Sequence, residues 1–397
     1  MTVRVLRSIH EVEPAEWNAL ELHGQPFLRH EFLAALEDTG CATADTGWTA
    51  QHLLLRDEHT RQLHGALPLY LKEHSFGEFV FDFSWAQAFD RAFQAQGRYY
   101  YPRLVSAIPF TPASGPRLLL ARNAPPHTAT RLVTALQDLT AELGLSSAHT
   151  LFPIQHQQQI LVDADWLPRT SCQFHWFNRG YARMDDFLGT FRADKRKKAK
   201  RERRRVLEEY GIRYQTLKGA ELDARQWRTV FGFSENTFHQ HGHEHYLSAD
   251  FLQRVAQALP DQVMVKLAEH QGRPVAAAIF FHSHDTLFGR YWGAAGQYDS
   301  LHFETCYYQG IEFCIERGLQ RFEPGTQGEH KIARGFEPTL SHSAHYLRDP
   351  GFRQAVQAHL HWEREAVAEY AQQMRRHIPF HAAPATAPDA DAASDAP

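Results

Sequence analysis

Apolar and polar positions along the first part of the chain recur in patterns that predict short strands and helices. A strand is predicted at Val3–Leu6, a helix begins near Pro14, and a second helix is predicted at Phe27–Glu37. The segments His52–Arg56 and Gln62–Leu71 follow as two neighbouring strand patterns. Because a short polar turn joins them, we expect these two strands to pair antiparallel.

An aromatic-rich segment follows this hairpin. Aromatic residues occupy alternate positions of Phe79–Trp85, which predicts a strand whose aromatic face packs in the core or lines a channel for a lipid chain. Further on, Thr128–Leu143 has the spacing of an amphipathic helix. Gly144, a residue type that commonly follows the last turn of a helix, predicts where this helix ends.

The second part of the chain repeats this order of elements. Its predicted helices are Phe187–Tyr210, Gln226–His239, Ala249–Leu259 and His302–Arg317, and its predicted strands are Val263–Glu269, Pro274–His282, Thr286–Trp292 and one that begins at Arg321–Glu323. The repetition predicts an internal duplication, with one domain at residues 1–165 and another at residues 166–380. Residues 381–397 are mostly Ala, Pro, Asp and Ser, and we expect them to form a disordered acidic tail.

Composition narrows the classes of protein that fit this pattern. Apolar residues make up 43% and charged residues 22% of the 397 positions, as in ordinary globular proteins. The formal net charge of −4 provides no global attraction to nucleic acids or membranes. No two of the four cysteines form a CxxC pair, no apolar signal region is seen, and the longest apolar run, Val275–Phe281, is too short to span a bilayer. We therefore expect a cytoplasmic protein, with at most peripheral contact with the inner membrane.

A strand, a helix and a second strand between residues 286 and 323 form a predicted βαβ unit. The helix carries apolar residues, among them Tyr307, Ile311 and Cys314, at the spacing of a buried stripe. The ligand site of such a unit lies at the carboxyl ends of the strands, near the start of the helix. Amides at the helix start attract phosphate, and strand amides near Tyr291 can polarise a thioester carbonyl.

The third element of this unit runs into an unusually polar segment, in which a proline and two glycines interrupt strand pairing. Transfer of an acyl group to an amine needs a base and a proton donor for the departing thiolate. Glu323 or His330 is the candidate base, Tyr291 is the candidate acid, and Lys331 is the candidate for holding a phosphate or the oxyanion. A solvated loop with an ordinary mixture of surface charges is the alternative interpretation.

The segment Arg192–Arg205 contains ten Lys or Arg residues and two acidic residues on a predicted helix. Three kinds of anionic ligand fit it: the phosphates of CoA or tRNA, lipid head groups at a membrane surface, or a nucleic acid. A solvated surface helix is the alternative. We assign Lys195, Lys197 and Lys198 to the phosphates of the co-substrate.

Two further clusters have the residue types of binding sites. Gln173, His175, Trp176 and Asn178 are candidates for lining the acceptor pocket, while a buried, hydrogen-bonded histidine is the alternative explanation. The alternating histidines of His239–His245 suit a metal, but 26 histidines in the chain make such clusters common, and we predict no metal site. The sequence contains no motif of a serine hydrolase, P-loop NTPase, zinc peptidase or dinucleotide-binding enzyme.

Four segments together resemble one known family. The segments FTPxxGPxLL at Phe110–Leu119, QFHWxNxGY at Gln173–Tyr181, the basic run Lys195–Arg203, and FEPGTQGEHKIARGF at Phe322–Phe336 are similar to those of FemAB-like N-acyltransferases of bacteria. In addition, Arg290–Ala295 resembles the Q/R-x-x-G-x-G/A phosphate loop of GNAT acetyltransferases. The resemblance to the FemAB-like family extends over residues 3–380.

This resemblance implies an α/β fold of two tandem GNAT-like domains, each with a mixed, mostly antiparallel sheet flanked by helices, and with the main cleft in the second domain. It implies transfer of an acyl group from acyl-CoA or a carrier thioester to a small-molecule or lipid amine, such as a cell-envelope precursor, with no tightly bound cofactor. On the GNAT pattern we assign co-substrate binding to Arg290, Gly293, Ala295 and Gly296. Glu304 and Gln327 are added to the acceptor pocket.

Two alternative functions stay open. Relatives of the Fem type join amino acids from aminoacyl-tRNA to peptidoglycan precursors, so an aminoacyl-tRNA is an alternative donor. This chain lacks the long coiled-coil insertion of those transferases, which disfavours tRNA. The second alternative is a non-catalytic protein that binds an anionic ligand or membrane surface through Arg192–Arg205.

Overall fold

The computed structural model describes residues 1–326 and 328–381, so Gln327 and nearly all of the predicted acidic tail lie outside the described residues. The chain forms two compact units. The first contains Met1–Ser171 and Leu340–Glu369, and the second contains Cys172–Thr339 and residues 370–381. The predicted division assigns all of residues 166–380 to the second domain. Leu340–Glu369 instead belongs to the first unit, because residues 343–347 pair with a strand at residues 147–151.

The first unit is built on two sheets. Its strands are β1 (Thr2–Leu6), β2 (Trp48–Ala50), β3 (His52–Arg56), β4 (Leu63–Leu67), β5 (Tyr70–Lys72), β6 (Arg103–Ser106), β7 (Leu119–Leu120), β8 (Ser147–Leu151), the start of β9 (Leu167–Phe177) and most of β15 (Glu337–Leu347). The order in one sheet is β1-β3-β4-β7, and in the other β15, β8, β6, β5 and β2 are neighbours in turn. Pairing is antiparallel except between β6 and β8.

Helices α1 (Pro14–Asn18), α2 (His30–Asp38), α3 (Phe83–Phe93), α4 (Thr128–Glu142), α5 (Gln155–Asp163) and most of α12 (Pro350–Arg375) complete this unit. Helix α4 buries Leu132, Val133 and Leu136 in the core. It ends as predicted, since Gly144 has a φ of 68°.

The predicted strand at Phe79–Trp85 is wrong. Helix α3 begins at Phe83, and Phe79 has a φ of 62°, a left-handed conformation that a strand does not accommodate. Asp82, at the residue before the helix, is held by a hydrogen bond of 2.8 Å from the Tyr100 hydroxyl. The alternating aromatic positions therefore belong to a turn and the start of a helix.

The second unit is built on one sheet. Its strands are the end of β9, β10 (Arg213–Lys218), β11 (Val263–His270), β12 (Arg273–His282), β13 (Thr286–Ala294) and β14 (Arg321–Glu323). Their order is β10-β11-β12-β13-β14-β9, and all neighbours are antiparallel except β13 and β14. The predicted hairpin is confirmed, because Gln271 and Gly272 join β11 to β12 with φ values of 52° and 73°.

Helices α6 (Met184–Gly189), α7 (Ala193–Arg204), α8 (Ala224–Gln240), α9 (Ala249–Ala258), α10 (Leu301–Phe303) and α11 (Gln309–Arg317) flank this sheet, and α12 ends in this unit. The predicted helix Phe187–Tyr210 is interrupted after Gly189. There Phe191 forms a bridge with Phe380, and the Arg192 amide donates to the Pro379 carbonyl at 2.8 Å. Each unit thus has a mixed, mostly antiparallel sheet flanked by helices, which confirms the predicted fold class.

The predicted helix His302–Arg317 contains a π-helical turn, Glu304–Tyr308, between α10 and α11. The extra residue in this turn brings both Tyr307 and Tyr308 into the core, where they are 4% and 0% exposed. Such turns occur often at functional sites. The βαβ unit itself is confirmed, since β13 and β14 are parallel neighbours.

Among the residues that the structure describes, no helix has both the length and the apolar character needed to cross a bilayer.

Candidate active site

Strands β13 and β14 are paired only over a short stretch. The last paired residues are Phe288 and Glu323. Beyond them β13 continues along β12 to Ala294, whereas β14 ends and the chain turns through Pro324 and Gly325. In the described part of the chain, one edge of β13 thus loses its partner strand at the carboxyl ends, where βαβ units bind ligands.

A β-bulge at Arg290 determines the sheet face on which the Tyr291 side chain lies. Strand β12 pairs Phe280 with Gly289 and Ile279 with Tyr291, which leaves Arg290 as the extra residue. Because alternate residues of a strand share a face, the bulge puts Tyr291 on the same sheet face as Phe288 and Glu323. There the Tyr291 ring packs 4.8 Å from the His245 ring, and its hydroxyl accepts from Arg290 Nη2 at 3.4 Å.

Strand β9 brings further polar groups to this face. Phe177 pairs with Arg321, so alternation places His175 on the same face as Arg321 and Glu323. Arg321 Nε lies 3.2 Å from Glu323 Oε1, and His175 Nε2 lies 2.9 Å from Gln173 Oε1. Three neighbouring strands therefore contribute a carboxylate, a guanidinium, an imidazole and a phenol to one sheet face.

Buried Lys331 follows the end of β14. It lies on a 3-10 helix, Glu329–Arg334, is 2% exposed, and donates from Nζ to the Gly325 carbonyl oxygen at 2.7 Å. Burial lowers the pKa of its ammonium group to about 7, against a smaller opposing influence of the Cys306 thiol. Near neutral pH this side chain therefore exists in both its charged and its neutral form, so it can exchange a proton or donate to a developing oxyanion.

The charge of Lys331 also affects the pKa of His175. Burial, and then the charges of Arg321 and Lys331, hold the pKa of His175 well below its usual range, so the imidazole is neutral. Of the predicted site residues, Lys331, Glu323, His175 and Gln173 are thus gathered around the end of β14.

His330 lies in an aromatic cluster beside Lys331. Its Nε2 is 2.8 Å from the Tyr307 hydroxyl, and its ring lies 5.8 Å from those of His302 and Phe303. Burial, followed by the charges of Lys331 and Arg334, lowers the pKa of His330. A neutral imidazole bonded to a phenol can accept a proton, which keeps His330 a candidate base.

Sequence reasoning missed the buried ionic network behind these groups. Arg334 Nη2 donates to Glu202 Oε1 at 2.7 Å, and the Tyr308 hydroxyl donates to Glu202 Oε2 at 2.9 Å. Arg334 Nη1 also donates to the His330 carbonyl at 2.6 Å. Helix α7 is thereby tied to the segment that carries His330 and Lys331. Glu202 is more than 100 residues from both Arg334 and Tyr308 in sequence, so local patterns carry no signal for these contacts.

Glu304, predicted to contact the acceptor, belongs to a second buried pair. Its side chain is 0% exposed, and Arg203 Nη2 and Gln309 Nε2 donate to its Oε1 at 3.1 and 2.9 Å. Burial raises the pKa of Glu304, while the charge of Arg203 opposes that shift. The carboxylate is therefore engaged within the fold, and the pair fixes the π-helical turn to helix α7.

The remaining basic side chains of α7 differ in their surroundings. Lys195 lies 3.6 Å from Asp194, whereas Lys197 and Lys198 are exposed and form no ion pair with any residue that the structure describes. Glu202 and Arg203 point inward, so only part of the predicted basic surface faces solvent.

The segment that matches the GNAT phosphate loop is mostly strand. Arg290, Gly293 and Ala294 lie within β13, and the following helix begins only at Leu301. A Cβ at Gly293 would overlap the backbone carbonyl of Phe233 in α8, so packing alone requires this glycine. The role of Arg290, Gly293, Ala295 and Gly296 in binding a co-substrate stays a prediction.

Two predicted acceptor residues have evident structural roles. Trp176 is 1% exposed and lies in the core of the second unit, on the face opposite His175. The Asn178 side chain accepts from the amides of Gly180 and Tyr181 and donates to the Leu319 carbonyl at 3.0 Å, which shapes a turn.

The segment that contains the alternating histidines joins α8 to α9. His245 is packed among the rings of Phe231, Phe238 and Tyr291, and burial lowers its pKa to about 4. No group of three His, Cys, Asp or Glu side chains suited to a metal occurs in the described ranges 1–326 and 328–381.

Comparison with known proteins identifies the family of this chain. The model of the FemAB-like family, described as peptidoglycan biosynthesis/recognition, matches residues 8–382. The chain has no significant match among curated proteins.

Solved structures with a similar fold include two that align over most of the chain. A crystal structure of FemX has a TM-score of 0.52 and 10% identity, covering 90% of this chain and 100% of FemX. The C-terminal domain (DUF2156) of an Agrobacterium fabrum protein described as a lysylphosphatidylglycerol synthetase also has a TM-score of 0.52, with 8% identity, covering 89% of this chain and 97% of that domain. These similarities establish the fold. The family match supports a transferase of the aminoacyl or acyl class.

Proposed function

Because the chain belongs to the FemAB-like family, we propose that it is an N-acyltransferase that moves an acyl group from a thioester, such as acyl-CoA, to an amine. The acceptor in this proposal is a small-molecule or lipid amine of the cell envelope. The observation that carries the proposal is Lys331, a buried lysine with a pKa of about 7 at the carboxyl end of the β13–β14 pair.

The reaction needs three groups at one place. The neutral amine attacks the acyl carbonyl carbon, a tetrahedral oxyanion forms, and its collapse breaks the carbon–sulfur bond and releases the thiolate. The ammonium form of Lys331 donates to the oxyanion. The ammonium has three N–H groups, and the bond to the Gly325 carbonyl uses only one of them. Glu323 or the neutral His330 takes the proton of the attacking amine, and the Tyr291 hydroxyl protonates the thiolate.

The positions of Glu323, Tyr291 and His330 support these assigned roles. Glu323 and Tyr291 share one sheet face, while His330 directly precedes Lys331 on the segment that follows β14 and is bonded to Tyr307 of the π-helical turn. The tie between Arg334 and Glu202 holds that segment in place, which is the positioning that a transfer reaction requires.

Mass spectrometry of reactions with isotope-labelled acyl-CoA and a panel of amines tests the proposal. We expect a labelled amide whose formation is lost in Lys331→Met. Lys266→Met is a matched control, because Lys266 on β11 is also buried in the second unit, 4% exposed, and its Nζ donates to Thr216 Oγ1 on β10 at 2.7 Å. Absence of any amide with acyl-CoA, carrier-linked and aminoacyl donors would contradict the proposal.

An aminoacyl-tRNA donor is the second candidate. It is favoured by exposed Lys197 and Lys198, whose charges no described residue neutralises, and it uses the same site chemistry with an oxygen ester in place of the thioester. Ribonuclease treatment of the reaction decides between the donors. Transfer that persists after ribonuclease excludes tRNA, and transfer that stops excludes acyl-CoA.

A further inference from the structure

The first unit exposes a cluster of aromatic rings between β5 and α3. Phe76, Phe81 and Phe83 are 61%, 48% and 42% exposed. The ring of Phe83 lies 5.7 Å from that of Phe76 and is stacked 5.5 Å from that of Phe81, so the three rings form one patch. A contiguous exposed apolar patch marks an interaction site more often than scattered apolar residues do.

A buried ionic network holds this segment in place. Arg103, which is 1% exposed, donates from Nη2 to Glu78 Oε2 at 2.7 Å and lies 2.8 Å from Asp82 Oδ2. The hydroxyls of Tyr100 and Tyr101 donate to Asp82 at 2.8 and 2.9 Å. The buried ionic network therefore fixes the backbone segment that carries the exposed rings.

The same network removes negative charge from the patch. Glu78 and Asp82 are the only acidic residues of the segment 74–85, and both are turned inward to Arg103. On the outward side the phenylalanine rings are accompanied by His74, whose ring lies 5.3 Å from that of Phe76, and by the exposed residue Glu73 directly before it. The carboxylates of Glu78 and Asp82 are therefore not exposed beside the rings.

A second contact fixes the patch to the long helix α12. Arg169 Nη1 donates to the Phe81 carbonyl at 2.9 Å and pairs with Glu363 at 2.7 Å. Trp362, the residue before Glu363, is 66% exposed.

The area of the patch favours a lipid bilayer over a partner protein. With a side-chain area near 200 Å² for phenylalanine, the three exposures correspond to about 300 Å². A stable protein interface buries about 800 Å² on each partner, which the patch does not approach. A bilayer needs no complementary shape, because exposed rings enter the boundary between head groups and acyl chains individually.

We propose that Phe76, Phe81 and Phe83 form an insertion patch that attaches the first unit to the surface of a lipid bilayer. The attachment is hydrophobic, and it is separate from the basic surface of α7 in the second unit. It does not depend on the proposed transfer reaction.

Flotation of the full chain with vesicles tests this proposal. The probes are phosphatidylcholine vesicles and vesicles that also contain phosphatidylglycerol, each at low and high salt. We expect the wild type to float with both, with a bound fraction that high salt does not reduce. Each Phe→Ser change lowers the partition coefficient about fivefold, and the triple variant lowers it about a hundredfold.

Leu143→Ser is the matched control, because Leu143 is 43% exposed at the end of α4 and is not part of the patch. It should bind like the wild type. Phe76→Ser changes only the most exposed ring and keeps the test decisive if the triple variant does not fold.

Four results would overturn the proposal. The first is a wild type that does not float, and the second is Phe→Ser variants that float like the wild type. The third is binding that high salt abolishes and that is lost on neutralising Lys197 and Lys198, because this would assign attachment to α7. Sedimentation of the wild type as a dimer, with monomeric Phe→Ser variants, would identify a second copy as the occupant and would likewise overturn it.

Discussion

Replacement of Lys331 by Met should stabilise the protein while it abolishes transfer. A fall of the pKa from 10.5 to about 7 corresponds to about 5 kcal/mol of unfavourable free energy for the buried ammonium. Methionine removes that cost and fills a similar volume, but loses the hydrogen bond to Gly325, which contributes about 1 kcal/mol. At pH 7, where half of the lysine is already neutral, we expect the free energy of unfolding to rise by roughly 3 kcal/mol.

The pH dependence provides a second signature of the same side chain. The folded pKa of Lys331 lies below its unfolded value, so between about pH 7 and 10 the unfolded state binds a proton that the folded state does not. Wild-type stability should therefore rise with pH across this window from this group. In Lys331→Met that contribution disappears, and the difference in stability between the two proteins narrows as the pH rises.

Urea unfolding followed by circular dichroism at pH 7 and pH 9 measures both effects. Lys266→Met is the matched control, because burial also lowers the pKa of Lys266, so its stability should change in the same direction while transfer is retained. A Lys331→Met variant that is less stable than the wild type at pH 7 would refute the reasoning, and so would a difference between the two proteins that does not change with pH.

The other predictions concern His330, Gly293 in β13 and Gly296 just beyond that strand. His330→Ala should slow transfer about a hundredfold, whereas His282→Ala, which removes another partly buried histidine of the second unit, should leave initial rates unchanged. Titration of Lys331 and of the attacking amine affects the wild type and His330→Ala alike, and the pKa of His330 is lowered, so the ratio of their rates should stay constant as the pH falls to 6.5. A ratio that already falls above pH 7 would contradict the role of His330 as the base. Gly293→Ala should give a protein that melts at a much lower temperature, because its Cβ would overlap the backbone of α8, while Gly296→Ala, with its nearest neighbour at 3.5 Å, should melt like the wild type. Equal melting temperatures for the two variants would show that packing does not require Gly293.

The elements that could be predicted from the sequence are those with local causes. The β11–β12 hairpin depends on a turn at Gln271 and Gly272, and helix α11 ends at Gly318, whose φ is 69°. The parallel β13–β14 pair follows from a strand, a helix and a strand in close succession. Each of these is specified by residues within a short window.

What could not be predicted depends on distant partners. The π-helical turn at Glu304 is joined to Arg203, and the Lys331 segment is tied to Glu202 by Arg334, so their positions follow from contacts that no local pattern encodes. The aromatic segment at Phe79–Trp85 had the period of a strand, but its conformation is set by the buried Arg103 network.

The sequence predicts which residues are candidates for the site, but it does not predict how they are arranged in space. The crowding of polar groups at and after the end of β14 identifies Glu323, His330 and Lys331. That His175 shares a face with Glu323 follows only from the pairing of β9 with β14, two strands that lie far apart in sequence. The burial that lowers the pKa of Lys331 likewise arises from the folded chain.

The most direct test of the account is the initial rate of amide formation by the wild type, Lys331→Met and Lys266→Met, measured with the same labelled donor and amine. The account predicts that the wild type and Lys266→Met form the amide at similar rates, while Lys331→Met, folded and more stable than the wild type, forms none above background. Amide formation by Lys331→Met at the wild-type rate would contradict the claim that the chemistry takes place at the end of β14.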